Sequence, residues 1–196
     1  MRSLFIISFL AVALYSCNQK KQEPNSKQPD KKNENTGYII SKDGIGELKI
    51  GMTPTEVEKL LNQQLKFNTI KDSAGYWQDT VKAKYKEIEV SLYFERQYVD
   101  DDSTFMQLAG VATSSPLCKT ASGIGSGDEK STILSAYDDN PIDMGPEFEP
   151  VNDTTWLPSK TKYYINVKDD KYDRELIFHL LNKKVVSLEA AIIMGD

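Results

Sequence analysis

The amino-acid sequence predicts an α+β fold of two similar helix-plus-antiparallel-sheet modules in tandem, with the helices packed on one face of the sheet. Three observations carry this expectation: a helix start at Thr53 with several capping signals together, a period-two alternation through residues 87–95, and a similar order of events 76 positions later. Hydrophobic residues at 39% and charged residues at 27% suit a chain that buries a core, and they exclude both wholesale disorder and a bundle of membrane spans.

The chain opens with Met1-Arg2-Ser3, a short positive start, and residues 4–15 are apolar throughout except for Ser8. A spanning helix needs about 20 apolar residues. This run has 12 and meets Asn18-Gln19-Lys20-Lys21 at once, which fits the core of an export signal. Leu14-Tyr15-Ser16-Cys17 resembles the bacterial lipobox, in which a small residue precedes a Cys whose sulfur is diacylated before cleavage; Tyr15 is bulkier than the usual residue there. The resemblance implies a lipoprotein signal peptide over residues 1–16, attachment of palmitate-type chains to Cys17, and anchoring to a membrane of the cell envelope through that lipid. Acyl burial contributes about 0.8 kcal/mol per CH₂, so several chains hold where one would not. Asn18 is not the Asp-type retention signal for the inner membrane, which favours the outer one.

Residues 18–36 contain no aliphatic or aromatic side chain and form, with the lipidated Cys17, a tether that has nothing to bury. Loss of residues 1–16 removes Arg2 alone among the charges, leaving 23 basic and 29 acidic residues, net −6. Five Lys against three acids make the tether +2, so residues 37–196 carry −8. A body of that sign is a poor partner for nucleic acid, whose phosphates call for a basic surface.

The first module, residues 37–116, starts with Gly37-Tyr38-Ile39-Ile40 and soon reaches the helix start. Thr53 can accept from the Glu56 amide while Glu56 reaches back, and Pro54 takes the first helical position, where no N–H is needed. Val57, Leu60, Leu61 and Leu65 then recur on one face, the pattern of a core-facing helix. In residues 87–95, Ile88, Val90, Leu92 and Phe94 point one way and Glu87, Glu89, Ser91, Tyr93 and Glu95 the other, as in a half-buried antiparallel strand. Residues 76–81 and 106–113 are further strands, with Asp100-Asp101-Asp102-Ser103 in a connecting loop.

The second module, residues 117–196, repeats the order. Ile124-Gly125-Ser126-Gly127-Asp128 leads into a helix that Asp128 can cap, with Ile133 and Tyr137 on one face; Gly127 follows Gly51, and Ile133 follows Val57, by 76 positions. Residues 163–167, 175–181 and 185–193 read as strands, the last two joined by a tight turn at Asn182-Lys183-Lys184. Residues 138–157, rich in Pro, Asp and Gly, read as an extended loop.

The Gly44-Ile45-Gly46 approach, the Gly51-Met52-Thr53 helix start and the antiparallel return resemble modules of the beta-lactamase-inhibitor-protein-like class and the small lipoprotein of the outer-membrane assembly machinery. The resemblance rests on residues 44–61, is degenerate over 123–137, and is topological for the strands. It implies a protein that binds other proteins rather than catalyses, with Gly51, Met52 and Thr53 serving the turn and cap; it carries over no binding residue.

Residues 123–131 imitate a phosphate loop, but Glu129 stands where that loop needs Gly, and Asp128 with Glu129 would repel phosphate. His179 is the only histidine, so no His/His/carboxylate metal set exists, and a half-exposed strand residue explains it. The runs Asp100–Asp102 and Asp169, Asp170, Asp173 lack EF-hand spacing and read as solvated turns. With Cys17 lipidated, Cys118 has no disulfide partner and reads as a small buried hydrophobe. No cofactor and no metal are expected. The aromatics remain: Tyr93 and Tyr164 on faces opposite the core, with Trp77 and Trp156 near strand ends, are candidate protein-binding residues, since such side chains anchor interfaces.

The sequence therefore points to a non-enzymatic envelope lipoprotein that presents a protein-binding surface on a tether. A hydrolase or small-ligand binder using the 138–157 loop is the alternative, and a structural spacer without a specific ligand is a third possibility. A deep pocket containing His179 or clustered carboxylates would favour the hydrolase.

Overall fold

The alternating segments of both halves pair into one large sheet rather than two. A computed structural model of the chain describes residues 38–67, 78–98, 104–169, 171 and 173–193. Residues 1–37, on which the expected signal peptide, Cys17 and the expected tether fall, lie outside them, as do Trp77 and Asp100–Asp102, expected in a connecting loop. In chain order the elements are β1 (Ile39–Ser41), β2 (Gly44–Ile45), β3 (Leu48–Lys49), α1 (Pro54–Leu61), β4 (Gln78–Tyr85), β5 (Ile88–Tyr98), β6 (Thr104–Thr113) and β7 (Lys119–Thr120). There follow α2 (Lys130–Ala136), β8 (Ile142–Asn152), β9 (Thr155–Lys168), β10 (Arg174–Leu181) and β11 (Lys184–Ile192).

Seven strands make an antiparallel sheet in the order β4-β5-β6-β11-β10-β9-β8, in which β6 pairs with β11 and so joins the two halves edge to edge. A small sheet, β3-β2-β1-β7, lies apart from it in the hydrogen-bonding pattern. One cluster of buried side chains links them: Ile40, Ile45 and Leu48 from the small sheet, and Leu92, Phe94, Leu108, Phe178 and Leu188 among those of the large one. In β4, β5 and β10 the buried residues alternate, as Val81, Ala83 and Tyr85, then Ile88, Val90, Leu92 and Phe94, and Leu176, Phe178 and Leu180 do, so those strands turn one face to the core and leave the other open.

The α+β expectation of balanced modules with helices packed on the sheet is overturned. Strand accounts for 58% and helix for 12% of the described residues, and the two helices run for only 8 and 7 residues. The apolar stripe that reads as a longer helix is cut by Asn62, which turns left-handed at φ 49° and donates its N–H to Glu58 O, so Leu65 is buried beyond the helix rather than on it. Val57 is the fully buried side chain of α1 and Ile133 that of α2, and the small sheet supplies much of the remaining cover. The 76-residue spacing marks two equivalent points at which a helix start docks on the large sheet. Gly51 (φ +92°) donates to Leu108 O at 2.8 Å, and Gly127 (φ +93°) donates to Val185 O at 2.8 Å.

Local signals fare unequally. The capping box at Thr53 forms, with Glu56 Oε2 accepting from the Thr53 amide at 2.8 Å. Asp128 does not cap α2; its carboxylate turns back to accept the Gly125 amide at 2.8 Å, and Glu129 occupies the cap position without a side-chain bond. Asn182 (φ 50°) and Lys183 (φ 70°) make the two-residue left-handed turn that joins β10 to β11.

Residues 138–157 are not a loop. They contribute all of β8 and the start of β9, because Pro146 and Pro150 lie on an edge strand, where a missing N–H costs no ladder bond. Gly145 allows Tyr164 of β9 to lie close: a Cβ there would come within 2.8 Å of the Tyr164 hydroxyl.

Candidate functional site

Two features stand out: a polar face on the large sheet and an apolar arm at its β8 edge. On the open face, β10 places His179 beside Tyr164 of β9 and Ser187 of β11, and Ile177 beside Glu189 and Asn166. His179 Nδ1 lies 2.9 Å from Glu147 Oε1 and its Nε2 lies 3.0 Å from Glu189 Oε2. Ionised carboxylates only accept, so both contacts are satisfied together when both ring nitrogens carry protons. Burial disfavours that imidazolium, but the hydrogen bonds and charges of Glu189 and Glu147 outweigh it and raise the His179 pKa above its usual value. Glu175, on the same strand, is raised chiefly by burial, against the relief given by Lys168 and by the Asn166 amide 2.9 Å away.

Tyr93 and Tyr164 both lie on this open face, as their strand phase predicts, and both are half-buried. Each is paired across strands with a glycine: Tyr93 with Gly110 and Tyr164 with Gly145. The rings cover the bare backbone of those glycines; Tyr93 Cδ2 stands 3.1 Å from where a Gly110 Cβ would be. A small cleft of about 170 Å³ beside Tyr93 is lined by Asp79, Glu95, Gly110 and Glu189, and burial together with the Glu189 charge raises the Tyr93 pKa. Among the described residues, no group of three or more His, Cys, Asp or Glu is placed to hold a metal ion.

The arm is the outer part of the β8–β9 hairpin. Between the pairs Pro146↔Tyr163 and Phe148↔Pro158 the register slips, because β9 spends extra residues on a bulge at 159–162. Buried Ser159 organises that bulge: its hydroxyl accepts the amides of Thr161 at 3.3 Å and Lys162 at 3.1 Å. Beyond it, Phe148 pairs with Pro158 and Pro150 with Trp156. Residues paired directly across strands, and those two apart on one strand, share a face, so one side of the arm consists of Phe148, Pro150, Trp156 and Pro158. Phe148 is 61% exposed, Val151 60%, Trp156 58% and Leu157 53%, the largest apolar exposure of the described residues. Single exposed apolar residues are ordinary, whereas a contiguous group marks a contact surface.

The structure thus separates the sequence-derived candidates. Tyr93 and Tyr164 belong to the sheet face, Trp156 to the arm, and Trp77 and Cys17, the expected lipid-attachment residue, lie outside the described residues. Phe148, Leu157 and the carboxylates that hold His179 were not picked out by sequence. The Phe148-Glu149-Pro150-Val151 alternation was the available signal for the arm, masked by its prolines. Cys118 is fully buried, and burial pushes its thiol pKa up to about 12, well away from the range of a reactive thiolate. No known family, curated protein or solved structure matches the chain.

Proposed function

We propose that this chain is a non-enzymatic envelope lipoprotein, tethered through a lipid on Cys17, that binds another protein through the β8–β9 arm. The single observation that carries the reading is the apolar side of the arm, on which Phe148 and Trp156 are exposed beside Pro150 and Pro158. Aromatic side chains held on a short, bulge-supported hairpin lose little freedom on binding, which favours them as interface anchors. The prolines remove donors from the β8 edge, so recognition there falls to side chains rather than to addition of a strand. Tyr93 and Tyr164 contribute a second, flatter surface with polar character. In this reading His179 is a structural bridge, with both ring nitrogens engaged by the carboxylates of Glu147 and Glu189.

The test is chemical cross-linking in cells that express the chain at its normal level, followed by isolation and mass spectrometry. Phe148→Ser with Trp156→Ser should remove a defined protein adduct while leaving the amount of chain unchanged. An adduct recovered equally from both forms would eliminate the arm. Anchoring is checked separately: the Cys17 peptide of native material should carry acyl mass, and Cys17→Ser should leave the membrane fraction.

A further inference from the structure

We infer that the partner met by the arm presents acidic side chains, and that these seat in a lysine-lined groove at the arm's base; the inference rests on the arm being a protein-binding surface. The groove, of about 410 Å³, lies between the start of α2, the bulge of β9 and the β10–β11 turn, where Lys130, Lys160 and Lys183 gather around half-buried Tyr163 and buried Leu180.

Three observations make it a place for carboxylates. Lys162 and Lys184 nearby are each engaged, with Glu149 at 2.8 Å and Glu129 at 3.6 Å, whereas Lys130, Lys160 and Lys183 have no ion-pair partner among the described residues. The chain as a whole carries net charge −5, so three uncompensated cations on one groove run against the trend of its surface. Main-chain bonds hold the three segments together: the Lys130 amide donates to Lys183 O at 2.9 Å, and the Asn182 amide to Thr161 O at 2.9 Å. The cations therefore start from a fixed backbone, which reduces the ordering cost of binding.

Lys160 lies two positions along β9 from Pro158, in the bulge at the foot of the arm, so the groove adjoins the arm. An extended segment advances about 3.3 Å per residue. A partner that lays apolar side chains on Phe148 and Trp156 thus brings its neighbouring residues over the lysines within a few positions. Exposed cations of this kind set partner choice and association rate more than total affinity.

The experiment uses the full-length chain in detergent micelles with two fluorescein-labelled probes, a peptide alternating Leu and Glu and a counterpart alternating Leu and Lys, read by fluorescence anisotropy across a salt series. The Leu/Glu probe should bind more tightly than the Leu/Lys probe and weaken as salt rises. Lys160→Glu with Lys183→Glu should cut that affinity roughly tenfold or more, as like charges then face the probe. Lys160→Gln with Lys183→Gln should cause a smaller loss with the circular dichroism spectrum unchanged, and Lys84→Glu on β4 should have no effect. Equal binding of the two probes, or wild-type affinity in the Lys160→Glu, Lys183→Glu chain, would overturn the groove while leaving the arm untouched. Undiminished probe binding by the Phe148→Ser, Trp156→Ser chain would instead discard the arm and keep the groove as a separate site. Retention on phosphatidylglycerol-containing vesicles that depends on Lys160 and Lys183, without probe binding, would assign the groove to lipid headgroups and reject an acidic protein segment.

Discussion

His179 shows how a single side chain ties the sheet to its arm. Its ring bridges Glu147, at the foot of the arm on β8, and Glu189 on β11, and Tyr164, Glu175 and Asp143 share the same face. With its folded pKa raised above the ordinary value of about 6.5, the stabilisation is complete below about pH 6.5 and is lost as pH rises through the higher folded value. Urea unfolding of wild type and His179→Gln at a series of pH values should therefore give a stability difference that is largest in mild acid and shrinks above neutrality. A difference that grows with pH would contradict the doubly protonated bridge. His179→Ala should cost about 1–3 kcal/mol at pH 6, because it leaves two half-buried carboxylates facing each other without a donor. Cys118 supplies a simpler check: with its thiol buried and its pKa at about 12, it should resist iodoacetamide at pH 8 until the chain is unfolded. Rapid alkylation of the native chain at that residue would show the site to be open.

At the scale of elements, what the sequence reveals depends on whether the deciding interaction is local. The α1 start is legible because Thr53, Pro54 and Glu56 act on one another within four residues, and Thr53→Ala should lower stability by about 1 kcal/mol, measurable as a shift in urea midpoint. The β10–β11 turn and the alternation of β5 are legible for the same reason. β8 is not, since Pro146, Pro150 and Gly145 become acceptable only once the strand is known to lie at an edge with Tyr164 across from it. Neither was the position of Asp128, whose preference for the Gly125 amide depends on the loop's own geometry. The bulge at 159–162 is likewise a tertiary matter, because Ser159 has meaning only as the buried acceptor for two amides. Ser159→Ala should leave those amides short of an acceptor, and hydrogen exchange across residues 148–162 should accelerate while the β5 and β10 amides stay protected. Unchanged exchange in the arm would mean that the hydroxyl does not hold it.

For the whole molecule, the helices predicted to cover a two-module sheet give way to a continuous seven-stranded sheet with one covered and one open face. Periodicity identified the buried side of β5 but carried no information about which strands would be neighbours, and the β6–β11 pairing that unites the halves joins residues some 75 positions apart, such as Thr113 and Leu188. The same limit hid the candidate site: Phe148 and Trp156, like His179 and its two carboxylates, meet only after the hairpin and the sheet have formed. In the proposed reading the arm with its lysine groove is the surface that selects a partner. The most direct measurement places a photo-activated benzophenone amino acid at position 156 in living cells, with position 84 on β4 as the control. A discrete protein adduct from position 156 alone is the predicted result; no adduct there, or the same adducts from both positions, would contradict an arm that binds a specific protein.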